Sequence, residues 1–260
     1  YKEINQVGGS VSWCYSVDTI GGALGALVSG LFIIWSLGLW KTSLLASTVN
    51  ITLGIVLYVL FNDDAIRPDN KTKQRKDQNP ITDNLVLGLF FFSGFAALVL
   101  ENVWIRFFDM IYGNSLISFS MVIAVFLFGL GFGSFLAKFV TRSIKDKILL
   151  FSALELLIGV SGLILLLIFP SMETQYLKIF YEANSYGSFL SQLGILAVAV
   201  LLIPTTLMGM TLPVLSTIYT RGESIAPDIG RLFASNSFGA ILGSFLSGFV
   251  LFYWIGLNNT

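Results

Sequence analysis

Two stretches of this chain, residues 15–42 and 233–260, are copies of one another at an offset of 218 positions, and each is a single apolar run of membrane-crossing length. The first reads YSVDTIGGALGALVSGLFIIWSLGLWKT and the second FASNSFGAILGSFLSGFVLFYWIGLNNT. Eight of the 28 positions are identical, among them Gly21/Gly239, Gly25/Gly243, Ser29/Ser247, Gly30/Gly248 and Gly38/Gly256. Shared Leu and Ile would mean only that both runs are greasy. A shared glycine ladder predicts that each helix presents the same flat face for close backbone approach, and such a repeat in a membrane protein marks a transporter-type scaffold. On this reading the chain opens inside one repeat and stops inside the next.

Composition agrees with a membrane location. Charged residues are 12% of the chain, about half the share in a soluble domain, 55% are hydrophobic and the mean hydropathy is +0.81. The formal net charge is zero, so no nucleic-acid partner is expected. The chain has no His and a single cysteine, Cys14, which excludes a His-containing catalytic triad, a disulfide framework and a cysteine metal cluster within these residues. No metal and no cofactor are expected. The opening YKEINQVGGS is polar and does not read as a signal peptide.

Crossing about 30 Å of hydrocarbon takes roughly 20 helical residues. Seven runs satisfy this, near 16–38, 43–61, 84–107, 116–139, 148–170, 188–212 and 232–256. The expected fold is therefore all-α, a polytopic membrane helix bundle with seven spans and a partial six-plus-six repeat scaffold. The one long polar stretch, FNDDAIRPDNKTKQRKDQNPITDN at 61–84, reads as a solvated linker. With the start of the first span cytoplasmic, 12 of the 15 basic residues fall on the cytoplasmic side, leaving Lys41, Arg106 and Lys178 outside. Residues 1–61 are then the last two helices of a first repeat, 62–83 a basic cytoplasmic linker and 84–260 the first five helices of a second repeat. That is the plan of a major facilitator type of transporter.

Four segments narrow the resemblance: FFFSGFAALVLENVWIRFFDMIYGNSLISFSMVIAVFLFGLGFGSFLAKF at 90–139, ALELLIGVSGL at 153–163, PTTLMGMTLPVL at 204–215 and GRLFASNSFGAILGSFLSGF at 230–249. They resemble the membrane part of the fused transporter-like/spermidine synthase proteins. The resemblance implies a soluble aminopropyltransferase domain in the same polypeptide beyond Thr260, since the glycine-rich loop and catalytic aspartates of such a domain have no counterpart in these residues. It further implies polyamine synthesis or transport at the cell inner (plasma) membrane. The alternative is a membrane anchor for that synthase domain, with no transport of its own.

Polar residues inside the spans are the candidate substrate-binding set. Glu101 lies in the outer third of its helix and is followed by Trp104 and Arg106; an ionised carboxylate in hydrocarbon costs at least a few kcal/mol and so faces the bundle or a watery cavity. Arg106 is five residues from Glu101 and is better placed to pair with Asp109, three residues on. The plainer alternatives are a snorkelling Arg106, a Trp104 in the interfacial aromatic belt and a Glu101 bonded to a neighbouring helix. Glu155 lies about 10 Å into its span from the cytoplasmic side, too deep for a short side chain to snorkel. Asn236 and its repeat mate Asp18 are expected near it in depth. Together these acids suit a small cationic, polyamine-like substrate or a proton, against the alternative of polar glue between helices. Pro204 and Pro213 deprive one helix of backbone hydrogen bonds, which either frees carbonyls for a site or merely kinks it. The lipid bilayer is the remaining expected partner. A tag placed within residues 62–83 of the protein in intact cells should be reached by antibody only after permeabilisation.

Overall fold

The computed structural model describes residues 2–60, 80–112, 116–220 and 225–251. These form seven α-helices: α1 (Lys2–Val28), α2 (Ile34–Leu60), α3 (Pro80–Tyr112), α4 (Leu116–Ser143), α5 (Lys147–Glu182), α6 (Tyr186–Tyr219) and α7 (Ile225–Leu246). Two π-helical turns complete the set, Ser29–Ile33 after α1 and Ser247–Leu251 after α7. Their starts are separated by 218 residues, the same offset as the repeat. A π turn is rare in a helix, so its recurrence at one register shows that the two copies share local backbone as well as sequence.

The count of seven spans is not met. Among the described residues six helical runs are long and apolar enough to cross a membrane, because the expected spans at 16–38 and 43–61 are joined in one run, Gly8–Val59, of 52 residues. The intervening Leu39, Trp40, Lys41 and Thr42 supply no turn chemistry, and helical hydrogen bonding resumes at once. The break in this run is at Gly38, whose φ of 76° is open to glycine at no steric cost. Gly38 therefore divides the run into two helical segments joined at a kink without a loop.

Several other helices outrun their apolar segments. α5 passes through Pro170 and ends at Glu182, because its last turns carry Glu173, Lys178 and Glu182 and so lower the hydropathy without ending the helix. Its start is set by Asp146, whose carboxylate accepts the Leu149 N–H at 3.0 Å, and that of α6 by Ser185, whose hydroxyl accepts the Ser188 N–H at 3.1 Å. α6 continues without interruption through both Pro204 and Pro213. The linker at 62–83 lies outside the described residues except for its final turn, 80–83, which opens α3, and residues 252–260 of the second repeat copy also lie outside them.

α4 and α6 are the centre of the bundle, with half of their best apolar stretches buried, against 11% for Gly8–Val59 and 17% for Ile225–Val250. α4 packs between α1 and α6, α5 lies on α6, and α7 lies along α3. Glycines make these approaches. A Cβ on Gly133 would overlap the Thr206 backbone and one on Gly209 the Leu130 backbone, which brings α4 and α6 into main-chain contact. Gly239 and Gly243 do the same against the Phe91 and Phe95 carbonyls of α3.

The two repeat copies do not use the same face, contrary to the expectation from their shared ladder. α7 buries Gly239, Gly243 and Ser247, whereas the matching Gly21 and Gly25 of α1 are exposed with nothing within 4 Å. α1 buries Ser12, Ser16, Thr19, Ala23 and Gly30 instead. Their counterparts in the second copy, Gly230, Ala234, Ser237, Ile241 and Gly248, are all exposed. The reason is the neighbour: α1 meets α4, where the Ser134 hydroxyl donates to the Ser12 carbonyl at 2.9 Å, and α7 meets α3. Gly243→Leu should therefore destabilise the protein by about 1–3 kcal/mol or more through overpacking against backbone. Gly159→Leu, at a glycine with nothing within 4 Å, should leave the melting temperature in detergent unchanged.

Candidate functional site

A cavity of about 300 Å³ lies where α3, α4, α5, α6 and α7 converge, with Tyr15 of α1 at its edge. Helical periodicity explains which residues reach it. α3 contributes Ser93, Ala97 and Glu101 at steps of four, with Ala96 beside them, so small side chains open the space between two polar ones. α7 contributes Phe233, Asn236, Ser237 and Ala240, the i, i+3, i+4, i+7 face of a helix. Glu155 enters from α5, Thr211 from α6 two residues beyond the Gly209 crossing, and Phe126 and Leu130 from α4.

Two carboxylates therefore share one cavity. The Glu155 carboxylate accepts a hydrogen bond from the Ser93 hydroxyl, Ser93 Oγ to Glu155 Oε1 at 2.7 Å. Glu101 stands eight residues further along α3 than Ser93, about 12 Å of helix rise. Among the described residues none donates a hydrogen bond to Glu101. Among the described residues the cavity lining contains no Lys or Arg. A space bounded by two acids, hydroxyl-bearing residues of α3 and α6 and an amide, within apolar walls, could hold a positive charge, because a low dielectric strengthens the attraction of a cation to an ionised carboxylate.

The structure brings Glu101, Glu155 and Asn236 together and separates the other expected residues from them. Asp18 is exposed and lines a shallow groove with Cys14, Tyr15, Ile229 and Phe233, on the far side of the Tyr15–Phe233 contact. Trp104 is 1% exposed and packs against Phe126, so it is core and not part of an interfacial belt. Arg106 is exposed and Asp109 half-buried on the outer turns of α3, away from the cavity lining. Pro204 is fully buried in α6 one turn before Met208, which does line the cavity.

Sequence reasoning missed Ser93, Tyr15 and Asn102. Ser93 carries a visible signal, a hydroxyl inside the apolar run FFFSGF, but only the fold shows that it faces Glu155. Asn102 adjoins Glu101 and was hidden by it. Its amide donates to Ser247 Oγ at 2.8 Å, Ser244 Oγ at 3.2 Å and the Ser244 carbonyl at 3.3 Å, which locks α3 to α7 at one end of the cavity.

Long apolar helices joined by glycine contacts around an apolar-walled cavity that holds two acids define a multi-pass membrane protein of transporter type. The chain belongs to the Major Facilitator Superfamily, whose family model matches residues 2–227. No curated protein and no solved structure matches it. Asn102→Ala should cost about 1 kcal/mol, in line with interhelical hydrogen bonds in membranes, and thermal unfolding of the detergent-solubilised protein would measure it.

Proposed function

We infer that this member of the superfamily binds and moves a small cationic metabolite through the cavity enclosed by α3, α4, α5, α6 and α7. The supporting observation is the pairing of Glu101 and Glu155 in one apolar-walled space whose described lining holds no basic residue. Of the two acids, Glu101 is the free one and is assigned to the substrate's ammonium group. Glu155, already hydrogen-bonded to Ser93, is assigned the second charge or a proton that accompanies transport. A polyamine is the substrate class this arrangement fits, since such a chain carries ammonium groups separated by methylenes that match the apolar walls. Polyamine handling also agrees with the resemblance to the fused spermidine synthase proteins, so the chain is read as the membrane module of such a protein in the plasma membrane.

The superfamily membership supports transport over a purely anchoring role, because an anchor has no use for acids held in hydrocarbon at a cost of several kcal/mol. Reconstituted full-length protein should accumulate spermidine in liposomes. Glu155→Gln and Glu101→Gln should each reduce that flux at least tenfold, with Glu101→Gln acting mainly on KM. Flux equal to that of empty liposomes would leave the anchor reading.

A further inference from the structure

A second cavity, of about 570 Å³, opens between α3 and α5 and shares no lining residue with the one that holds Glu101 and Glu155. Its walls are fixed by aromatic contacts. Phe107 of α3 stacks on Phe169 of α5 with ring centroids 3.6 Å apart, and Tyr176 is held by ring contacts to Tyr112 and Phe189. The mouth is polar: Glu173 is exposed and stands about 39 Å of helix rise beyond Lys147, past a hydrocarbon core of about 30 Å. Two acceptors on this wall stand short of donors. Pro170 has no N–H, so the Leu166 carbonyl one turn before it lacks its helical partner. Among the described residues none donates a hydrogen bond to Glu173 or pairs with its charge, and the described lining holds no Lys or Arg. Leu166, Pro170 and Glu173 recur at i, i+4 and i+7 on one face of α5. Helical carbonyls point toward the C-terminus and side chains lean toward the N-terminus, so the two acceptors converge on one spot.

We propose that this cavity is a second ligand site, for a lipophilic primary amine: one ammonium head carried on an apolar tail. The head lies between the Glu173 carboxylate and the Leu166 carbonyl, to which its N–H groups donate, and the tail lies against Phe107, Met110 and Ile111 on the α3 wall. The aromatic faces of Phe107 and Tyr176 add to the attraction of a cation. One acid calls for one charge, which separates this ligand from the one suited to the two acids of the interior cavity. An acyl chain of the bilayer fills the apolar volume but brings no donor to either acceptor. A phosphatidylethanolamine headgroup brings the ammonium, yet its phosphate would stand beside Glu173 with no basic residue in the described lining to meet it. The site does not depend on what the interior cavity carries.

The test is photolabelling of the purified full-length protein in phosphatidylcholine nanodiscs with dodecylamine that carries a diazirine in its chain, the labelled peptides being read by mass spectrometry. Label is expected on the stretches that wall the cavity, 107–111 and 166–177, and should be competed by plain dodecylamine but not by dodecanol or dodecanoate. Dodecyltrimethylammonium has no N–H for the Leu166 carbonyl and should compete more weakly. Glu173→Gln should lower the labelling about fivefold, the scale of an exposed ion pair. Glu182→Gln, at an exposed acid of α5 outside the lining, should leave it unchanged. Both acids are exposed, so neither substitution disturbs the packed bundle. Labelling that survives Glu173→Gln, or that dodecanol displaces as well as dodecylamine does, would overturn the proposal. So would label found only on the interior cavity, or label lost when phosphatidylethanolamine replaces the phosphatidylcholine.

Discussion

Main-chain contact through glycine is the constraint on which the rest of this structure depends. Lipid tails are as apolar as leucine, so helices in a bilayer gain little by hiding greasy surface from their surroundings and associate through dispersion contact and interhelical hydrogen bonds. Both grow steeply as backbones approach. In this chain the approach is made at Gly133 and Gly209 between α4 and α6, and at Gly239 and Gly243 between α7 and α3. Those two crossings set the distance between opposite walls of the cavity. Asn102 then fastens one end of the α3–α7 pair, and Tyr112, whose hydroxyl donates to the Leu193 carbonyl at 3.0 Å, fastens α3 to α6.

The cavity exists because the same helices that meet through glycine diverge where their side chains are polar or small. On α3 the close-contact residues, Phe91 and Phe95, face α7 through their carbonyls, while Ser93, Ala97 and Glu101 turn to the interior. The aromatic and aliphatic cluster around Trp104, Phe108, Phe126 and Leu201 seals the space on one side. An acid in such a place is costly unless it is hydrogen-bonded or meets a cation. Ser93 meets the first requirement for Glu155, and the second is the role proposed for Glu101.

Much of the fold was readable from apolar run length, since five of the expected spans coincide with helices and the acids at 101 and 155 stood out as intramembrane charges. Helix ends were not, because hydropathy reports where the chain is greasy and α5 remains helical through Pro170 into a polar segment. The expected spans at 16–38 and 43–61 fall in the one run Gly8–Val59 because the backbone kinks at Gly38 and returns to helix without the loop that the polar step at Lys41 and Thr42 suggests. The glycine ladder correctly marked a packing surface in α7 but could not say which neighbour would fill it in α1. Trp104 shows the same gap. Its position near a helix end suggested the interface, and only the tertiary arrangement turns it into the core beside Phe126. Asp18 and Asn236 are equivalent in the repeat, yet they fall on opposite sides of the Tyr15–Phe233 contact, which no pairwise reading of the sequence contains.

The central claim is that the interior cavity recognises positive charge. Equilibrium binding of radiolabelled spermidine to the purified full-length protein in lipid nanodiscs tests it most directly. Saturable binding, displaced by other organic cations and unaffected by organic anions or neutral sugars, is the predicted result. Displacement by anions or sugars as readily as by cations, or the lack of any saturable binding, would contradict it.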